Sequence, residues 1–265
     1  MPCEEFVVHA DDGCPLHVDY EGDGQPLLLI AGLGGKGAFW EPVWKLLRGH
    51  FRLVTFDHRG TGRSGRPADG YSIDRIADDA LVVLDSLNIE RAHVMGHSTG
   101  GAVAQTLALD AAARVEKVVI SGSWARPDYR FRLLFETRLA VLEHASPTAY
   151  ISFGQILGFP PDWINENEPS VRRSIDDAGR EVSDPEIVKS RLRMLLQYNR
   201  FADLPRITSS CLIVGSKDDM IIPLSHSIAI ADSIPGARLI QLNGGHFFPR
   251  TAATEFTSAV LDFLR

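Results

Sequence analysis

What the chain lacks narrows it first. No apolar run approaches the ~20 residues that a membrane-spanning helix needs, so a membrane protein is not expected. There is no basic excess either. Lys and Arg number 27 against 34 Asp and Glu, a formal net charge of −7, which argues against nucleic acid or an anionic membrane as partner. Cysteine is scarce: Cys3, Cys14 and Cys211 are scattered, odd in number and without metal-ligand spacing. That pattern predicts reduced thiols in a cytoplasmic setting, with no disulfide framework and no metal site. The N-terminal residues, Met1 to Glu5, show no basic region followed by an apolar core, so no signal peptide is expected. Internal repeats and low-complexity segments are missing too.

What is present is an ordinary globular composition, 45% hydrophobic and 23% charged over 265 residues. That length suits one large α/β domain with an insertion. Assembly as a homodimer is compatible with it.

The organising stretch is Val94 to Gly101, which contains Gly96-His97-Ser98-Thr99-Gly100. It reads G-x-S-x-G at the end of a short apolar run and before an Ala-rich helical pattern. A strand that turns so sharply into a helix needs nearly bare residues two places either side of the serine, and Gly96 and Gly100 supply them. The turn lifts the Ser98 hydroxyl out of the strand end. The unpaired N–H of Thr99, at the helix start, points into the same space. A serine hydroxyl needs a base, and the base needs an orienting acid. On this pattern the acid follows a late strand and the histidine lies near the C-terminus.

Taken in order, the chain predicts a hairpin at Asp11-Asp12-Gly13, then a buried parallel strand at Leu27 to Ile30. Gly32-Leu33-Gly34-Gly35-Lys36-Gly37 follows and spells G-x-G-x-x-G, with Asp57 standing 20 residues beyond Gly37 at the end of the next strand. That is also a dinucleotide-binding fingerprint, and an NAD-dependent oxidoreductase is the rival it raises. The other reading is an oxyanion loop in which the backbone N–H near Leu33 approaches a substrate oxygen. A dinucleotide site has no use for a serine elbow, a late acid and a late histidine, so the second reading is preferred. Asp57 and Arg59 are expected to hold backbone groups in the turn that follows. Ser72 is expected to cap a helix whose apolar stripe runs through Ile76, Ala80 and Leu84, with Asp74, Asp78, Asp79 and Asp85 mostly on a solvated face.

Lys117 to Ser121 is the next strand, after which the α/β rhythm stops. Residues 125–204 show helical patterns only, and are expected to form a helical cap inserted into a core made of 1–124 and 205–265. Trp124, Arg126 and Trp163 are the expected substrate contacts. Strands resume at Cys211 to Val214, with Asp218 and Asp219 just beyond. The last strand, Arg238 to Leu242, leads to Asn243-Gly244-Gly245-His246.

Ser98, an acid at 218 or 219, and His246 thus occur in the required order, each past a strand's carboxyl end. With these motifs the chain resembles the α/β-hydrolase superfamily over its whole length. The resemblance implies a mostly parallel eight-stranded sheet flanked by helices. It also implies oxyanion donors at Leu33 and Thr99, and no cofactor. Family members often run a late strand into G-x-x-D-x-x-x-P. Counting back from Pro223 favours Asp219, though Ser216 stands in the glycine's place and Asp218 stays open. Within the superfamily the chain is most similar to the aminoacrylate hydrolases of bacterial pyrimidine degradation, through Ile30 to Gly35, Trp40, Arg59 to Gly62, Tyr71 to Ile73 and Pro161 to Trp163. The 3-oxoadipate enol-lactone hydrolases are nearly as similar through residues 50–122. Both resemblances imply a small acyl substrate bearing a carboxylate: an ester, an enol-lactone or a C–N relative. Arg126, Arg130, Arg132 and Arg138 are the candidates to hold that carboxylate. A C–C bond hydrolase and a ligand sensor that retains the triad are the alternatives on the same fold.

Overall fold

The structure, a computed structural model, describes residues 4–181 and 184–265, with the backbone only for 178–181. Eight strands run through it: β1 (Glu4–His9), β2 (Pro15–Glu21), β3 (Gln25–Ile30), β4 (Phe51–Phe56), β5 (Ala92–His97), β6 (Val115–Ser121), β7 (Ser210–Ser216) and β8 (Arg238–Leu242). They form one sheet in the order β1-β2-β4-β3-β5-β6-β7-β8. β2 is antiparallel to both its neighbours, and every other pairing is parallel.

The central strands are apolar on both faces because both faces are covered. Alternate residues divide between two cores. Leu28 and Ile30, Val94, Val118 and Ile120, and Ile213 face one. Leu27 and Leu29, Met95, Val119, and Leu212 and Val214 face the other. The first core is closed by α2 (Ile73–Ser86) and α3 (Thr99–Asp110), the second by α1 (Glu41–Leu47) and the C-terminal helix introduced below. Ser72 caps α2, its side chain accepting the Arg75 N–H at 3.0 Å.

One acid on α2 departs from the solvated face expected of it. Asp79 is fully buried and takes the Arg59 guanidinium in two bonds, at 2.6 and 2.7 Å. Arg59 also reaches Asp12, so its head group pairs with carboxylates and not with the backbone. Asp79 lies three residues after Ile76 and four before Val83, inside the apolar stripe. An acid in that register needs a buried cation.

Between β6 and β7 the described chain is helical: α4 (Tyr129–His144), α5 (Pro147–Gly158), α6 (Pro161–Glu166), α7 (Glu168–Glu181) and α8 (Pro185–Gln197). After β7 come α9 (Leu224–Ser233), α10 (Phe248–Thr251) and α11 (Ala253–Leu264). Among the described residues no helix is long and apolar enough to cross a membrane. Cys14 and Cys211 are buried and unpaired, and Cys3 lies outside the described residues.

Candidate active site

Four loops meet at the carboxyl ends of the parallel strands, where such sheets place ligands. They follow β3, β5, β7 and β8. β3 and β5 are neighbours in the sheet, so the Gly32 loop and Ser98 come together directly. A Cβ on Gly32 would stand 3.3 Å from the Ser98 Cβ.

Ser98 occupies a conformation that non-glycine residues rarely adopt, with φ 55° and ψ −115°. The surroundings enforce it. Its N–H donates to the Ser121 carbonyl at 2.8 Å, and its own carbonyl accepts the Ser123 hydroxyl at 2.8 Å. The two flanking glycines are required by contact. A Cβ on Gly96 would fall 1.9 Å from the Gly100 carbonyl oxygen, and one on Gly100 would fall 2.0 Å from the Ile30 carbonyl oxygen. Helix α3 and strands β3 and β5 thus touch through bare backbone. Thr99 is the first residue of α3, so its N–H has no acceptor within the helix.

His246 and Asp219 are both buried. The His246 Nδ1 donates to Asp219 Oδ2 at 2.7 Å. The other oxygen, Oδ1, accepts the Ile221 and Ile222 N–H groups, each at 2.8 Å. Asp218 faces elsewhere: its Oδ1 accepts the Ser216 hydroxyl at 2.6 Å and the Gly244 N–H at 3.0 Å. The turn before His246 uses Gly244 at φ 124° and Gly245 at φ 68°, backbone that favours glycine. Ser98 and His246 line the same cavity, of about 530 Å³, together with Leu33.

The helices between β6 and β7 supply part of the remaining wall, and Lys36, Phe39, Glu41, Arg66, Phe247 and Arg250 supply more of it from the core. Phe135 and Arg138 of α4, Tyr150 of α5, Phe159, and Ile187 and Arg191 of α8 line the cavity. His97 lines it as well. Its ring stacks on Phe39 at 5.0 Å, its Nδ1 meets the Ser121 hydroxyl at 3.1 Å, and burial pushes its pKa well below the ordinary imidazole range. His58, fully buried, is held neutral by the same cause.

Three expected substrate contacts lie elsewhere. Trp124 is completely buried against Phe131, at 4.9 Å, and Tyr198, at 6.1 Å, and does not line the cavity. The chain turns at Gly122 (φ 51°), and two residues later the indole enters the core beneath α4. Arg126 is exposed, its guanidinium lying over the Phe201 ring at 4.1 Å. Trp163 stacks behind Phe159, 4.1 Å away with planes 9° apart, so Phe159 alone of the pair meets the cavity. Of the other arginines, Arg130 donates to the Met220 and Ile221 carbonyls and Arg132 is exposed. Arg138 is the one that reaches the cavity wall.

Arg191 was not anticipated. It is buried, and donates to the Arg59 carbonyl at 2.7 Å and to the Leu33 carbonyl at 2.8 Å. Its position four residues after Ile187 and four before Leu195, on the apolar face of α8, carried the signal.

The acid of the dinucleotide fingerprint is occupied. Asp57 Oδ1 accepts the Gly37 N–H at 2.8 Å and Oδ2 accepts the Arg63 N–H at 2.9 Å. A short 3₁₀ turn, Gly37–Trp40, follows the loop before α1 begins. A phosphate would find no α-helix N-terminus at the third glycine. Among the described residues, Glu5, His17 and Asp19 have metal-ligand spacing, but Arg63 already pairs with both acids and none of the three lines the cavity.

The sequence and the fold are matched by known proteins. Residues 25–249 match the alpha/beta hydrolase fold family. The chain belongs to that family, and it is a hydrolase. It is 38% identical over 251 residues to a protein of Caulobacter sp. (strain K31) provisionally named carbamate hydrolase RutD, covering 94% of each chain. Among solved structures, this α/β hydrolase is similar to a hydrolase from Pseudomonas aeruginosa PA01, with a TM-score of 0.90 and 30% identity over 98% of both chains. It is also similar to the enol-lactonase from Burkholderia xenovorans LB400, with a TM-score of 0.90 and 25% identity over 98% of this chain and 99% of that one.

Proposed function

We propose that this hydrolase cleaves a small, carboxylate-bearing acyl compound through Ser98, His246 and Asp219, by way of an acyl-enzyme. The observation that carries the reading is the 2.7 Å bond from His246 to Asp219 beside a strained Ser98 that lines the same cavity. Asp219 holds Nδ1 protonated, which leaves Nε2 free to take the Ser98 proton. The alkoxide attacks the acyl carbon. The Thr99 N–H and the backbone N–H at Leu33 receive the oxyanion, each donor being worth roughly 3–4 kcal/mol in comparable sites. His246 returns its proton to the leaving oxygen or nitrogen. It then draws a proton from water, and the hydroxide releases the acid.

The substrate class draws support from the cavity and from the relatives. A space of about 530 Å³ with aromatic walls and buried arginines suits a compact anion. The Caulobacter relative is named for carbamate and the Burkholderia structure for an enol-lactone, both small acyl chemistry.

A serine-directed phosphonate with intact-mass readout tests the nucleophile. One adduct on the wild-type chain and none on Ser98→Ala is the expected result. Equal labelling of both, or of neither, overturns it.

A further inference from the structure

Two arginines in the cavity wall are buried, and they are used differently. Arg191 spends its terminal nitrogens on the Arg59 and Leu33 carbonyls. Arg138 is 8% exposed and, among the described residues, has neither a carbonyl nor a carboxylate as acceptor. Its Nε is buried without a partner. Ring faces surround the guanidinium instead: Tyr150 at 4.8 Å and Phe135 at 5.6 Å. On another side stands Gly154, where a Cβ would come 3.2 Å from Nη2.

A ring face attracts a cation, but it offsets only part of the cost of taking a guanidinium out of water. The group that completes the balance is an oxygen anion, which a planar guanidinium grips in two parallel bonds. Among the described residues no carboxylate pairs with Arg138, and the residue lines a cavity large enough for a small ligand.

We propose that Arg138 is the anion anchor of this cavity, binding the carboxylate of a compact substrate whose acyl carbon lies at Ser98. The anchor selects a monoanion over a neutral compound of equal size. The proposal rests on the reading of Ser98 as nucleophile.

Two p-nitrophenyl esters of matched length test it: the hemisuccinate, which is an anion, and the neutral butyrate. The wild-type chain is expected to favour the hemisuccinate in kcat/KM. In Arg138→Met the ratio of the two is expected to fall by about tenfold or more, the scale of one lost charge-assisted pair, with the change mainly in KM. Arg138→Lys keeps the charge without the fork, and should recover part of the ratio. An unchanged ratio in Arg138→Met, or no preference in the wild type, overturns the proposal. Phosphonate labelling of Ser98 in each preparation reports whether the variant is folded.

If Arg138→Met does not fold, the wild type decides. Succinate should shield Ser98 from a neutral phosphonate while succinamide at the same concentration does not, and equal shielding overturns the anchor. If wild-type Ser98 takes no phosphonate at all, the nucleophile reading fails by itself. Thermal stabilisation by succinate over succinamide then still judges Arg138: a larger shift with succinate, reduced in Arg138→Lys and lost in Arg138→Met, supports it, and equal shifts overturn it.

Discussion

Asp218 and Asp219 are adjacent in the chain and serve different partners: Asp219 receives the His246 ring at 2.7 Å, while Asp218 receives the Gly244 N–H at 3.0 Å. One carboxylate orients the imidazole. The other holds the loop that carries it. Asp219→Asn turns the ring to the wrong tautomer, and kcat on a p-nitrophenyl ester is expected to fall by up to about 10⁴-fold. Asp218→Asn keeps an oxygen for Gly244, so its loss should be far smaller. Equal losses in steady-state kinetics would show that the two roles are misassigned.

The elbow glycines separate contact from composition. Gly96→Ala places a methyl 1.9 Å from the Gly100 carbonyl oxygen, a contact that only backbone movement relieves. Its cost is expected to exceed about 4 kcal/mol, or to prevent folding. Gly34→Ala meets nothing within 4 Å and needs no left-handed backbone, so it should stay within roughly 0.5 kcal/mol of wild type in urea denaturation. Similar midpoints for the two variants would contradict the packing described for α3.

Acid should weaken the fold through its buried histidines. Burial keeps His58 and His97 neutral in the native state, well below the ordinary imidazole value. Unfolded, each takes up a proton below about pH 6.5. The unfolded chain therefore binds more protons as pH falls. Their contribution is complete above about pH 6.5 and declines below it, by at most ~1.4 kcal/mol per pH unit for each ring. Urea midpoints measured from pH 7.5 to 5.0 should show this slope, and His97→Asn should reduce it. An identical slope in the variant would mean that His97 is charged in the native state.

Arg191 fixes the Leu33 carbonyl at 2.8 Å, in the loop proposed to hold the oxyanion. Arg191→Met is expected to lower kcat by about tenfold or more, the scale of one lost charge-assisted bond, with less change in KM. It should also slow phosphonate labelling of Ser98 in parallel, because the phosphonyl oxygen uses the same donors. A pure KM effect would mean that Arg191 acts on substrate and not on the loop.

Much of this site was legible in the sequence, because its logic is local. The sharp turn around Ser98 needs its two glycines, and the loop before His246 needs its own. The choice of Asp219 over Asp218 came from counting back from Pro223, and the His246 contact agrees. What the sequence concealed was the direction of side chains. Trp124 and Arg126 stand close in sequence to the end of β6, but one turn at Gly122 sends the indole into the core and leaves the arginine over Phe201. Proximity along the chain therefore says little about proximity to a cavity. Asp79, Arg138 and Arg191 each lie within the apolar stripe of a helix. A charge in such a stripe marks either a buried pair, as for Asp79, or a group turned toward a cavity. Periodicity finds these residues without distinguishing the two fates, since the partner comes from a distant part of the chain.

The two buried guanidiniums leave the cavity with a standing electric field. Burial lowers the Arg191 pKa to about 10, so it stays charged at neutral pH, and neither it nor Arg138 pairs with a carboxylate among the described residues. Around Arg138 the wall is aromatic, with Tyr150 and Phe135 against the guanidinium, and there salt screens the charge less than at the open surface. It draws an anion inward. For an ester or lactone that already bears one carboxylate, however, hydrolysis manufactures a second on the spot, and what arrived as a monoanion must depart as a dianion. On the proposed reading, the pull that speeds arrival also resists departure of the acid.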